Sequence, residues 1–113
     1  MAFVLPTFNL TMDVWTAPAN PFGGAASFLN VPCQIYNWSK VLPGAPPFAQ
    51  IRFPIDFVNT YTVGDVIEAP SGSTRYWLVL SLYRQHEGFA NEFWNAEVVT
   101  CDNVGVQAFR GLP

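Results

Sequence analysis

Charge is what this sequence has least of. Only 12% of its 113 residues are charged while 50% are hydrophobic, against about 25% charged in an ordinary soluble domain. A body this small has a large surface for its volume and needs more ionic covering, not less. The shortfall predicts that neutral polar side chains dress the surface and that another polypeptide covers part of it. The five basic residues, Lys40, Arg52, Arg75, Arg84 and Arg110, are scattered. That spacing excludes the clustered patch that displaces counterions from nucleic acid or docks on an anionic membrane.

Cysteine is scarce too. Cys33 and Cys101 fall short of the several bridges of a small secreted scaffold, and although one Cys33–Cys101 bridge is open, buried free thiols are the expectation. No run of about 20 apolar residues is available for a spanning helix, because Pro18, Pro21 and Pro32 with Asn20, Asn30, Gln34 and Asn37 interrupt the charge-free stretch 14–39. The opening residues lack the basic region and long apolar segment of a signal peptide, so folding in a cytoplasm is expected.

Long helices are excluded before Pro70 by proline, of which the chain has 10, each costing about 3 kcal/mol in a helix interior. Strands are what remain. Phe8, Leu10, Met12 and Val14 alternate with Asn9, Thr11 and Asp13, and Ala49, Ile51, Phe53, Ile55 and Phe57 alternate with Gln50, Arg52, Pro54 and Asp56. A period of two puts each apolar set on one strand face. Val31, Cys33 and Ile35, and Trp94, Ala96 and Val98, repeat the pattern more weakly. Residues 75–84 are apolar on both faces, with Tyr76, Leu78, Leu80 and Leu82 on one and Trp77, Val79 and Tyr83 on the other, as in a strand covered on both sides.

Pro70-Ser71-Gly72-Ser73-Thr74 is a hairpin turn between 62–69 and 75–84, and Gly88 punctuates the next connection to 92–101. The C-terminal half is expected to form a three-stranded meander, followed by a turn at Asp102-Asn103 and a short last strand over 104–109. The whole reads as one all-β domain over 1–113, a small antiparallel β-barrel or sandwich of about six or seven strands with long Pro/Gly-rich loops. The loops are 16–30 and 39–47, and long structureless loops are commonly functional.

No catalytic, cofactor or metal site is expected. His86, Glu87 and Glu92 lie close in sequence without the three or four convergent ligands a metal needs. Cys33 and Cys101 have no nucleophile context, and Gly23-Gly24 lacks the residues of a phosphate loop. Asp65 and Glu68, three apart on one strand, do not form the pair of glycoside chemistry and read as solvated strand edges. The aromatic set Trp15, Tyr36, Trp38, Tyr61, Tyr76, Trp77 and Trp94 serves core packing or partner docking. Phe22, Phe28, Leu29, Trp38, Phe48 and Phe89 are the expected interface residues.

Thr62-Val-Gly-Asp-Val-Ile-Glu-Ala-Pro-Ser-Gly-Ser-Thr-Arg-Tyr-Trp-Leu-Val-Leu-Ser-Leu resembles head–tail joining proteins of tailed bacteriophages, the head-closure (stopper) and head–tail adaptor families. In these a strand opening on Gly-Asp-x-Ile/Val passes through a Gly turn into an aromatic-Val-Val strand. Met12-Asp-Val-Trp and, after a Pro/Gly-rich stretch, Val31-Pro-Cys-Gln-Ile are similar to the opening of the same proteins. The resemblance implies a virion protein made in the bacterial host cytoplasm. It would assemble as a homo-oligomeric ring between portal or adaptor and tail proteins, around a channel that DNA could traverse, with no sequence-specific nucleic acid contact, no membrane partner and no catalysis. The low charge departs from the charged loops of joining proteins that face DNA. Two alternatives stand beside it: another virion part (minor tail, tail-tube or decoration protein), and a carbohydrate-binding module using Trp38, Trp77 and Trp94. On the interface reading, Phe22→Ser with Phe28→Ser should impair assembly and leave the melting of the isolated domain nearly unchanged. Collapse of melting with intact assembly would instead assign both rings to the core.

Overall fold

The computed structural model describes residues 7–39, 48–56, 59–90 and 92–111. Six strands follow in order: β1 (Leu10–Trp15), β2 (Phe28–Ser39), β3 (Phe48–Pro54), β4 (Val66–Glu68), β5 (Tyr76–Gln85) and β6 (Phe93–Thr100), then a helix, α1 (Asn103–Phe109). The strands close into an antiparallel barrel in the order β1-β2-β3-β6-β5-β4. Alternation makes the core. Met12 and Val14 from β1, Cys33 from β2, Ile51 and Phe53 from β3, Trp77 from β5 and Val98 from β6 all point inward. The meander β4-β5-β6 forms as expected.

A second cluster lies outside the barrel wall, where Trp15, Val66, Leu78 and Val106 pack together. It explains why the first half of β5 is buried on both faces. The second half is not, because a β-bulge between Val79 and Ser81 shifts the register. Leu82 thereby packs on the inner core with Trp77 and Val79, while Leu80 is exposed. A bulge inserts one residue and inverts the alternation beyond it, so Leu82 does not share a face with Leu78.

The last element is a correction. Residues 103–109 are helical, not a strand, because Asp102 caps them: its Oδ1 accepts from the Gly105 N–H at 2.8 Å, satisfying a donor that the first turn leaves free. A strand would put Val104 and Val106 on one face. The helix buries Val106 completely and leaves Val104 77% exposed. Loop 16–30 is also shorter than expected, since β2 begins at Phe28; residues 40–47 of the other loop, and Phe57, lie outside the described residues.

Asp65 and Glu68 are buried, not solvated. Glu68 accepts from the N–H groups of Gly72 and Thr74, both at 3.0 Å, and so holds the hairpin in which Thr74 takes a φ of 59°. Asp65 accepts from Thr62 N–H at 2.8 Å and Ala17 N–H at 3.2 Å. Beside it Arg110 donates through Nε to the Gly64 carbonyl and through Nη1 to the Pro18 carbonyl, both at 3.0 Å. A carboxylate buried among backbone donors is tolerable where the bare charge would not be.

Burial pushes the Asp65 carboxyl above its ordinary 3.8, against the pull of both N–H groups and of the Arg110 guanidinium. A carboxyl raised in the folded state holds its proton more tightly there. Its contribution to stability is therefore complete below 3.8 and is lost as pH rises through the folded value. Urea melts of wild type and Asp65→Asn between about pH 3 and pH 7 should show the wild-type stability minus the variant's falling with pH, then levelling. A difference that grows with pH contradicts this account.

Candidate functional site

The outward face of β2, β3, β6 and β5 carries a polar and aromatic layer. Strand alternation aims Gln34 and Tyr36, Gln50 and Arg52, Phe93, Asn95 and Glu97, and Ser81 and Tyr83 away from the barrel interior. Register brings them into rows: Tyr36 lies opposite Gln50 and Gln34 opposite Arg52, Gln50 opposite Glu97 and Arg52 opposite Asn95, and Asn95 opposite Tyr83.

Asn95 is the hub, 1% exposed although it sits on the outer side. Its Nδ2 donates to the hydroxyls of Tyr83 at 2.8 Å and Tyr36 at 3.1 Å. Gln50 Nε2 donates to the same Tyr83 hydroxyl at 3.4 Å. The Arg52 guanidinium lies 3.4 Å from the centroid of the Tyr36 ring and 5.5 Å from that of Phe93, a cation held by ring quadrupoles. Yet Asn95 Oδ1, Gln34 Oε1, Arg52 Nε and Ser81 Oγ are buried without hydrogen-bond partners. Leaving such an atom unpaired costs about 1–3 kcal/mol, and one face concentrates four of them. Phe48 and Leu80 add exposed apolar surface on these strands.

Among the described residues no group of three His, Cys, Asp or Glu could hold a metal ion. His86 stands edge-on to the Phe93 ring at 5.5 Å, and Glu92 faces Arg84 at 3.8 Å. Both cysteines are free: Cys33 packs in the barrel and Cys101 against the outer cluster. Burial pushes each thiol up to about 12, far from the range of a nucleophile.

The expected interface residues do not share one surface. Phe48 pairs with Val99 at one end of the β3–β6 ladder, whereas Phe89, 60% exposed, sits beyond the other end in the β5–β6 connection. Leu29 is 66% exposed at the start of β2. Phe22 is exposed and sets its ring edge-on to Tyr76 at 5.2 Å. The side chain of Trp38 lies outside the described residues. Phe28 belongs to β2 and packs on the inner core, its ring 5.5 Å from Tyr61. Nor do Trp77 and Trp94 offer a sugar platform. Trp77 is fully buried with its indole N–H on the Ala69 carbonyl at 3.2 Å, and Trp94 packs against Phe53 under the Arg84 guanidinium.

Arg52, Asn95 and Glu97 escape a search for exposed apolar residues because they occupy the polar positions of the alternation, and Tyr83, expected on one face with Trp77 and Val79, is turned outward by the bulge between Val79 and Ser81. The signal was there in their size: large planar polar groups at successive outward positions, where small hydroxyls would do for solvent. Comparison with protein-family models, curated proteins and solved structures finds no match.

The two loop phenylalanines now separate. Phe28→Ser should lower stability by about 1–3 kcal/mol, through lost burial and packing. Phe22→Ser should cost less than about 1 kcal/mol. Equal melting temperatures for the two variants would overturn the placement of Phe28 in the core.

Proposed function

We propose that the chain is a non-enzymatic structural subunit that works by docking, and that its place is the head–tail junction of a tailed-phage particle. The observation that carries the docking role is the outer face of β2, β3, β6 and β5, where Tyr83, Phe48 and Leu80 are exposed around the layer of Tyr36, Arg52 and Asn95. Aromatic and Arg side chains of this kind anchor protein interfaces. Charge scarcity supports the same reading, since 8 acidic and 5 basic side chains leave much of the surface without ionic cover.

Barrel closure supports it differently. With each strand paired on both sides, association cannot proceed by adding a strand to an edge; it must use side-chain surfaces and loops. The finer assignment rests on the likeness of residues 62–82 to joining proteins, and in the fold this stretch is β4, its hairpin and most of β5. The mechanism is geometric. The barrel is the rigid body, and each docked face buries apolar area worth about 25 cal/mol per Å², offset in part by ordering costs. Closed rings follow where a head-to-tail contact meets a rotation that closes.

Expression together with the products of the adjacent genes, followed by native mass measurement, tests this. Stoichiometric co-purification, or incorporation into particles, is the expected outcome. A chain that joins none of its neighbours and is missing from particles rules the assignment out.

A further inference from the structure

We infer that the outer face of β3, β5 and β6 docks on the same face of a second copy of this chain. The inference takes from the preceding section only that this face is an interface. Arg52 and Glu97 carry it. Both point outward on neighbouring strands, diagonal to one another across the β3–β6 ladder, because Arg52 lies opposite Asn95 and Glu97 lies opposite Gln50. Diagonal neighbours stand about 7–8 Å apart, and long side chains at that spacing can meet. These do not: Arg52 turns toward Tyr36 and Phe93, Glu97 is exposed, and among the described residues neither makes an ion pair or finds a hydrogen-bond partner.

The face therefore presents one unpaired cation and one unpaired anion. An acidic partner would meet Glu97, a basic partner would meet Arg52, and a neutral one would leave both uncompensated. A copy related by a two-fold axis parallel to the sheet, passing midway between the two residues, sets each Arg52 over the other copy's Glu97. One self-complementary contact thus satisfies both charges twice. Leu80 and Phe48 flank the charged pair with exposed apolar surface, and face-to-face sheets pack through such side chains about 10 Å apart.

Sedimentation equilibrium on the purified chain tests the contact. The wild type should dimerise, less tightly as salt rises. Arg52→Glu and Glu97→Arg should each weaken the dimer about tenfold or more, because each places like charges opposite one another twice. An equimolar mixture of the two variants should recover the wild-type constant to within about threefold, since both contacts then pair opposite signs. Glu97 is exposed and makes no ion pair or hydrogen bond among the described residues, so Glu97→Arg should change the melting temperature little and report chiefly on the contact. A wild type that remains monomeric, single reversals without effect, or a mixture that fails to recover each overturns the inference. A monomer that still enters particles would sink this contact and leave the structural role intact; a dimer that no particle contains would do the reverse.

Discussion

Three residue pairs hold this fold shut. Asp13 with Glu68, Val14 with Ile67 and Trp15 with Val66 join β1 to β4, and without them the six strands would be an open sheet with two raw edges. β4 is only three residues long, so the seam depends on what flanks it. Asp13 Oδ1 takes the Ser71 hydroxyl at 2.9 Å and the Asn30 N–H at 3.0 Å, and Ser71 N–H reaches the Thr11 carbonyl at 2.8 Å. The hairpin after β4 is thus tied back across β1. Because adjacent residues of a strand face opposite ways, Val14 feeds the inner core while Trp15 feeds the outer cluster, and the same seam couples both.

Closure also shapes what the protein can do. A closed barrel leaves no free strand edge, so a partner would meet side chains and loops, and the side chains are few in charge but rich in rings and amides. The wall divides unequally. Around β1, β4 and the first half of β5, α1 and loop residues Ala19 and Ala26 cover the outside with an apolar cluster. Around β2, β3, β6 and the second half of β5 nothing apolar lies over the wall among the described residues, and the Asn95 hub takes its place.

Much of the barrel was legible because alternation reports burial directly. β1 and β3 read cleanly, and Pro70-Ser71-Gly72-Ser73-Thr74 located the hairpin. What was hidden depends on tertiary context. The bulge after Val79 leaves no mark on an unbroken apolar run, so the facing of Leu82 could not be read. Residues 103–109 carry two valines and a glycine, poor helix formers; the helix exists because Asp102 caps it and Val106 finds a pocket among Trp15, Val66 and Leu78. The burial of Asp65 and Glu68 was equally invisible, since a carboxylate before a turn looks the same whether water or backbone N–H groups surround it. For the candidate site, the apolar residues could be singled out but not brought together, and the polar layer around Asn95 emerges only once register aligns four strands.

The Arg110 side chain ties together parts of the chain that are made far apart in time. Its Nη1 meets the Pro18 carbonyl across 92 positions, and its Nε holds the Gly64 carbonyl that precedes β4. On a ribosome, loop 16–27 is therefore synthesised long before the guanidinium that reaches its Pro18 carbonyl exists. Until residue 110 has emerged, the Pro18 and Gly64 carbonyls wait for this donor, and until Val106 has emerged Trp15 lacks one member of its cluster. Incompletely packed apolar surface is prone to wrong association while it waits, so the interval between the synthesis of residue 18 and that of residue 110 is one in which this small barrel is exposed to it.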